Sequence, residues 1–172
     1  MKKFKKITIR KLNLKSDISK KYQSWMNDFE VHKYTEQKYT KHSLANIRKF
    51  VREKNNSKNE FLYGIFLKQD NLKIHIGNIK IGPINFIHKT AELSYFIGEK
   101  KLWGKGYATK AIKEIIKIAR KKKLRKLKAG FYEKNSGSKK VLEKNGFIKE
   151  GVLKSEIIHK NKRYNSHIFG KI

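Results

Sequence analysis

Two glycines, Gly104 and Gly106, stand at the junction of two different hydrophobic periods. Ahead of them AELSYFIG (91–98) mixes apolar and polar residues at the alternation of a strand. Behind them TKAIKEIIKIARKKK (109–123) sets Ala111, Ile112, Ile115, Ile116 and Ala119 along one stripe with Lys and Arg opposite, the pattern of an amphipathic helix. LRKLKAGFY (124–132) then returns to a strand pattern. Strand, crossover helix and strand predict a parallel, right-handed unit, so the chain is expected to build a sheet with a helix on its face.

The remaining segments add mostly strands. ITIRKL (7–12) alternates. Ser16-Asp17 predicts a helix start, with Tyr22, Trp25 and Met26 on one face. NDFEVHKYTEQKYT (27–40) has no clean period and reads as a loop with a short turn. Ser43 opens a second helix bearing Leu44, Ile47, Phe50 and Val51, and NNSKN (55–59) breaks it. FLYGIFLK (61–68), IHIGNIKIG (74–82) and residues 91–98 read as a three-stranded meander, with a glycine bulge in the second strand and a turn at GPIN. Asn135 and Ser136 offer caps for a short helix, SKKVLEKNG (138–146), stopped by Gly146. FIKEGVLKSEII (147–158) and YNSHIFGKI (164–172) close the chain as a strand pair. The order β-α-α-β-β-β-α-β-α-β-β predicts a single α+β domain over residues 1–172. It has three layers, with helices about a mixed, mostly antiparallel sheet of about seven strands.

A chain of 172 residues with 38% hydrophobic content is long and apolar enough for one packed core. No apolar run approaches the roughly 18 residues of a membrane span. The lysines of MKKFKKITIRK are followed by neither an apolar stretch nor a cleavage site. A soluble, cytoplasmic protein is therefore expected. The absence of cysteine excludes disulfides, thiolate metal sites and a Cys nucleophile. Forty-four basic residues against 14 acids give a formal charge of +30, a field that draws anions. Only six of the 44 are Arg, the side chain that grips phosphates and bases bidentately, and the wealth of Lys, Ile and Asn is what AT-rich codons produce. The charge thus reads as a solvated surface rather than as a nucleic-acid footprint.

Glycines two positions apart before a helix expose consecutive N–H groups at the positive end of its dipole. Lys100, Lys101 and Lys105 add full charges, which makes the loop a phosphate cradle in physical terms. It is not a Walker loop, because GxxxxGK[ST] is absent. Nor is it a dinucleotide fingerprint: the third glycine position is Thr109 and lysines occupy the region where an acid is needed. On spacing alone, a plain turn between strand and helix remains the alternative. The wider pattern resembles the GNAT superfamily of acyl-CoA-dependent N-acetyltransferases. Lys101-Leu102-Trp103-Gly104-Lys105-Gly106 fills that family's Q/R-x-x-G-x-G/A, with Lys101 in place of Gln or Arg. Asn135-Ser136-Gly137-Ser138 and VLEKNGF (141–147) follow in the family's order, and the element order agrees over nearly the whole chain. WMNDFEVHKYTEQ (25–37) is similar to the branch of ribosomal-protein N-terminal acetyltransferases, some members of which modify amino-sugar nucleotides, antibiotics or polyamines.

The resemblance implies acetyl-CoA as co-substrate and direct attack of an amine on its thioester, which suits a chain without cysteine. It implies a pyrophosphate site on Trp103, Gly104, Lys105, Gly106, Tyr107, Ala108 and Thr109 with Lys101 beside them. Pantetheine is expected along Phe96, Ile97 and Gly98, where the family's strand splays from its neighbour. Glu92 is the implied base, and alternation places it on one face with Ser94 and Phe96. Ser138 matches the serine of the family's N-x-x-S element, which the resemblance implies as the group that protonates the leaving thiolate; the Tyr that many members carry on this helix is missing between 138 and 146. Asn135 either binds pantetheine or caps the helix. His75 and His88 read as surface or turn residues, and no histidines stand at metal-ligand spacing, so no metal is expected. Trp25, Asp28, Tyr34 and Glu36 fall where the family builds its acceptor pocket. The expected acceptor is a nucleotide-linked amino sugar or other small amine, because a +30 chain repels basic substrates. N-terminal protein acetylation is the alternative within the class, and nucleic-acid binding on an inactive scaffold is the rival outside it. Neither a membrane nor a nucleic-acid partner is expected, and the chain is expected as monomer or homodimer.

Overall fold

The computed structural model describes residues 6–69 and 71–172; the basic start of the chain, residues 1–5, lies outside the described residues. Seven strands form one sheet: β1 (Ile7–Arg10), β2 (Phe61–Gln69), β3 (Leu72–Asn85), β4 (Thr90–Ile97), β5 (Lys126–Tyr132), β6 (Ile148–His159) and β7 (Lys162–Lys171). Their order is β1-β2-β3-β4-β5-β7-β6, and every pairing is antiparallel except β4 with β5. The helices are α1 (Lys20–Met26), α2 (Phe29–His32), α3 (Leu44–Asn56), α4 (Tyr107–Lys121) and α5 (Ser136–Glu143), with single 3₁₀ turns at Glu36–Tyr39 and Lys100–Leu102. None of them is long and apolar enough to cross a membrane.

The sheet is covered on both faces. Ala111, Ile112 and Ile115 of α4 pack onto Ile65, Ile79 and Ile81, all fully buried. On the other face Tyr22 and Trp25 of α1 and Ile47 and Val51 of α3 close over Leu62 and Phe66. This is why β2 reads as an unbroken apolar run rather than an alternating one. The outer strand β6 lacks such cover and is mostly exposed.

Several elements depart from the local pattern, each for a tertiary reason. The first helix starts after Ser19, not at Ser16-Asp17, because the Asp17 carboxylate is taken by Arg10 (2.6 and 3.0 Å) and by the Asn13 N–H (2.6 Å). Ser19 Oγ accepts from the Tyr22 N–H instead. The expected loop at 27–40 holds α2 and a 3₁₀ turn, capped by Asp28 and Thr35 respectively. GPIN does not turn the chain. β3 runs on to Asn85 through a register shift between Ile81 and Ile84, where a bulge accommodates Pro83 and its missing N–H. Helix α4 begins two residues early, at Tyr107, with Gly106 as its N-cap at φ +74°.

One topological feature positions the site. β4 and β5 pair only over Thr90–Glu92 and Lys126–Lys128. Beyond that, β4 stays with β3 as far as Ile97, while β5 stays with β7 as far as Tyr132. The two strands therefore diverge into a wedge in the middle of the sheet.

Candidate active site

The wedge opens a cleft of about 440 Å³ walled by β4, the glycine loop, the start of α4 and α5. The Gly98 N–H donates to Ile76 on β3 (2.9 Å). By alternation, the backbone groups of Leu93, Tyr95 and Ile97 therefore turn to the opposite edge, where β5 has departed. One of them is used within the chain: the Trp103 indole N–H donates to the Ile97 carbonyl at 2.7 Å, which lays the ring along the cleft. Gly104 and Gly106 hold φ of +70° and +74°, which only glycine adopts without strain. A Cβ on Gly104 would meet nothing within 4 Å, so its requirement is backbone conformation and not space. The first turn of α4 leaves the N–H groups of Tyr107, Ala108 and Thr109 without intrahelical acceptors, and no side chain caps them. A concave set of N–H donors at a helix N-terminus fits the phosphates of a nucleotide. Lys140 and Lys144, one turn apart on α5, and Lys33 on the opposite wall add cationic charge.

Of the residues implied for the co-substrate, Phe96, Ile97, Trp103, Gly104, Gly106, Tyr107, Ala108, Thr109, Asn135 and Ser138 line this cleft. Lys101 and Lys105 are exposed beside it. Gly98 is buried under the Trp25 indole instead. Asn135 caps α5 by accepting from the Ser138 N–H (3.0 Å) while still facing the cleft. Lys33, Lys140 and Lys144 come to the cleft from segments distant in the chain, which no local window shows, although the i, i+4 spacing of the latter two carried a signal.

A second cavity of about 460 Å³ lies between α1–α3 and the outer face of β3 and β4. Thr35, Tyr95 and Phe96 belong to the walls of both cavities, so the two meet at the point where β4 leaves β5. Apolar walls come from Met26, Ile47, Phe50, Leu62 and Ile79, with His32, His42, Asn46 and Asn78 among them. Lys54 and Lys80 also line it, and both pair with Glu60. No carboxylate is among its described lining residues.

None of the four residues expected at the acceptor pocket lines this cavity. Trp25 is buried against Gly98 and the His75 ring, 5.2 Å between centroids. Asp28 caps α2 and pairs with Lys100 at 2.6 Å, which holds its carboxyl below its usual pKa. Tyr34 lines the cleft beside the glycine loop instead. Glu36 accepts from Tyr132 Oη at 2.5 Å. Together Asp28 and Glu36 tie the 28–40 segment to the loop after β4 and to the end of β5, so they frame the cavity from outside.

Where the cavities meet, Tyr95 Oη and Ser138 Oγ are 2.9 Å apart. Burial raises the Tyr95 pKa to about 12, so its hydroxyl keeps its proton at neutral pH. Tyr95 is the residue the sequence reading passed over: it sits on the opposite face of β4 from Glu92, Ser94 and Phe96. Glu92 is exposed at the last position where β4 pairs with β5 and lines neither cavity. His88 is exposed in the β3–β4 turn. His75 lies beneath the second cavity, where its Nε2 contacts the Gly77 carbonyl (3.0 Å) and Asn78 Oδ1 (2.8 Å) and its ring stacks on Phe66.

The chain is 35% identical over 100 residues to the Bacillus subtilis (strain 168) protein named "Probable N-acetyltransferase YjcK", an overlap of 57% of this chain and 54% of that one. The chain spans about half the length of the curated relatives it matches. An acetyltransferase (GNAT family) from Bacillus anthracis superposes with a TM-score of 0.81 at 26% identity, covering 99% of this chain and 96% of that one. The fold is also that of spermidine N-acetyltransferase from Vibrio cholerae, solved in complex with CoA and spermine: TM-score 0.83, 20% identity, coverage 96% and 94%. Residues 6–148 match the family described as Acetyltransferase (GNAT) domain. That match runs from β1 through the splayed strands and the glycine loop to the first residue of β6, and the chain belongs to the GNAT acetyltransferase family.

Proposed function

We propose that the protein transfers an acetyl group from acetyl-CoA to the primary amine of a small acceptor, with both substrates bound at once. The observation that carries this reading is the meeting of a phosphate-binding cleft and a separate, mostly apolar cavity at Thr35, Tyr95 and Phe96. The thioester supplies an acetyl carbon open to a nucleophile. The N–H groups of Tyr107, Ala108 and Thr109 hold the pyrophosphate, and the free β4 edge, the backbone of Leu93 and Tyr95 with the Ile97 N–H, takes the pantetheine amides as a further strand would. A β4 N–H at this edge is placed to polarise the acetyl carbonyl. Ser138, backed by Tyr95, protonates the departing sulfur.

The acceptor carries a neutral or anionic body. A polyamine needs carboxylates, and none is among the cavity's described lining residues, whereas Lys54 and Lys80 stand at its wall sharing the single carboxylate of Glu60. A nucleotide-linked amino sugar is the acceptor class that these walls and the +30 charge support best.

Calorimetry with acetyl-CoA tests the first half. Wild type binds, while Gly104→Glu and Gly106→Glu weaken binding at least about tenfold by straining the cradle and filling it with a carboxylate. A folded wild type that does not bind acetyl-CoA overturns the reading. Turnover tests the second half, and a thiol-reactive dye reports only released CoA because the protein has no cysteine. A UDP-linked amino sugar should outpace both spermidine and a peptide with a free N-terminus; the reverse order assigns a different acceptor.

A further inference from the structure

Two buried polar atoms in the acceptor cavity have no hydrogen-bond partner among the described residues: His32 Nε2 and Asn78 Nδ2. Both side chains line that cavity and are nearly inaccessible to solvent, 2% and 3% exposed. Their chemical characters follow from neighbouring bonds. The Thr35 hydroxyl lies 3.1 Å from both the His32 carbonyl and His32 Nδ1, and with its proton on the carbonyl it accepts from an Nδ1–H. In that arrangement Nδ1 carries the ring proton and Nε2 presents a lone pair, the tautomer on which the inference below depends. Asn78 Oδ1 lies 2.8 Å from His75 Nε2, which also faces the Gly77 carbonyl and so bears a proton. The Asn78 oxygen is thus an acceptor; one Nδ2 proton faces the Tyr22 hydroxyl beyond full hydrogen-bond reach, and the other is left over.

The two groups flank one residue. The His32 ring meets Phe96 edge-on at 4.9 Å, and Asn78 is directly opposite Phe96 in the β3–β4 ladder, on the same face of the sheet. Phe96 also walls the co-substrate cleft. A buried acceptor and a buried donor left unpaired around one ring are costly, and a ligand that supplies the complements removes that cost.

We infer that His32 and Asn78 are the recognition pair for a hydroxylated amine: His32 Nε2 takes an N–H of the reacting amine, and Asn78 Nδ2 donates to an oxygen on the same molecule. This rests on the acetyl-transfer reading and narrows its acceptor to an amino alcohol, of which an amino sugar is one kind. In the transfer, the C–N bond forms as the C–S bond breaks. The amine proton passes to His32 Nε2, the sulfur takes a proton from the Ser138–Tyr95 pair, and both groups reset by exchange with solvent. Bonding to the acetyl carbon makes the nitrogen far more acidic than a free ammonium, so a weakly basic imidazole suffices.

The test uses D-glucosamine and cyclohexylamine, two monoamines of similar size of which only the first has hydroxyls. In ¹⁵N-labelled wild type, NMR should show His32 as the Nδ1–H tautomer. Saturating glucosamine in the presence of CoA should move the His32 Nε2 and Asn78 Nδ2 resonances. Asn78→Asp keeps the acceptor for His75 but removes the donor. Both amines are cationic and feel the new charge alike, so the lost donor is read in the ratio of their kcat/KM values, which should fall about tenfold against glucosamine. His32→Phe should lower kcat about 10²-fold with a smaller change in KM, and His32→Gln, which retains an acceptor oxygen, should recover part of the amine affinity. An Nε2–H tautomer, unmoved resonances, or an Asn78→Asp effect equal for both amines would overturn the inference. Amine binding with these resonance shifts but no CoA release from bound acetyl-CoA would instead sink the transfer reading and leave the recognition pair standing.

Discussion

At the scale of the residue, the wedge concentrates function on groups that no local rule singles out. Ser138 owes its place to Asn135, which caps α5, and to Tyr95 across the cleft. Ser138→Ala and Tyr95→Phe are each expected to slow acetyl transfer about 10²-fold with acetyl-CoA affinity little changed. The double variant should be no slower than the worse single one, because the two hydroxyls act as a unit; full turnover by Ser138→Ala would remove it from the chemistry. His32 makes a second prediction, in stability. Burial is the main force holding its pKa near 4 against an ordinary 6.5, with His42 adding to the depression and Asp28 opposing it. The unfolded chain therefore binds the proton more tightly between these values, so the stability it contributes is full above about pH 6.5 and lost as pH falls towards 4. His75, also lowered chiefly by burial, acts with the same sign. Thermal unfolding of wild type should drop through this window, and His32→Phe should flatten the slope.

At the scale of the element, the strands and helices were legible wherever one face is buried and one is wet. Helix α4 shows this: its stripe of Ala111, Ile112 and Ile115 was evident from spacing alone, and all three are fully buried. The failures share a different cause. The start of α1 depended on Arg10 claiming Asp17 from seven residues away, and the path of β3 through Pro83 depended on a bulge set by its pairing with β4. Neither is contained in a local window. Gly98 is the same kind of residue: a Cβ there would enter the Trp25 indole, so the end of β4 and helix α1 are joined at a point with no room for a side chain. Gly98→Ala should cost about 1–3 kcal/mol by overpacking, read as a lower denaturant midpoint at an unchanged m-value. Because α1 also walls the acceptor cavity through Tyr22 and Met26, KM for the amine should rise more than KM for acetyl-CoA.

At the scale of the whole molecule, the +30 charge would act on the proposed co-substrate, which is rich in phosphate. Raising salt from ~50 to ~500 mM shortens the screening length severalfold, so KM for acetyl-CoA should climb several-fold while kcat holds. A flat KM would mean that only the cradle's own N–H groups and nearby lysines attract the anion. The sequence by itself determined the alternation of strands and helices and the phosphate cradle, because periodicity and a glycine loop before a helix are properties of adjacent residues. It did not determine where β4 and β5 part, which side chains wall the acceptor cavity, or that Tyr95 meets Ser138 across 43 positions of chain. Those follow from strand register and from the packing of α1–α3 on the sheet. They decide which buried polar atoms find partners inside the protein and which, like His32 Nε2 and Asn78 Nδ2, do not, and it is these that we infer meet a substrate.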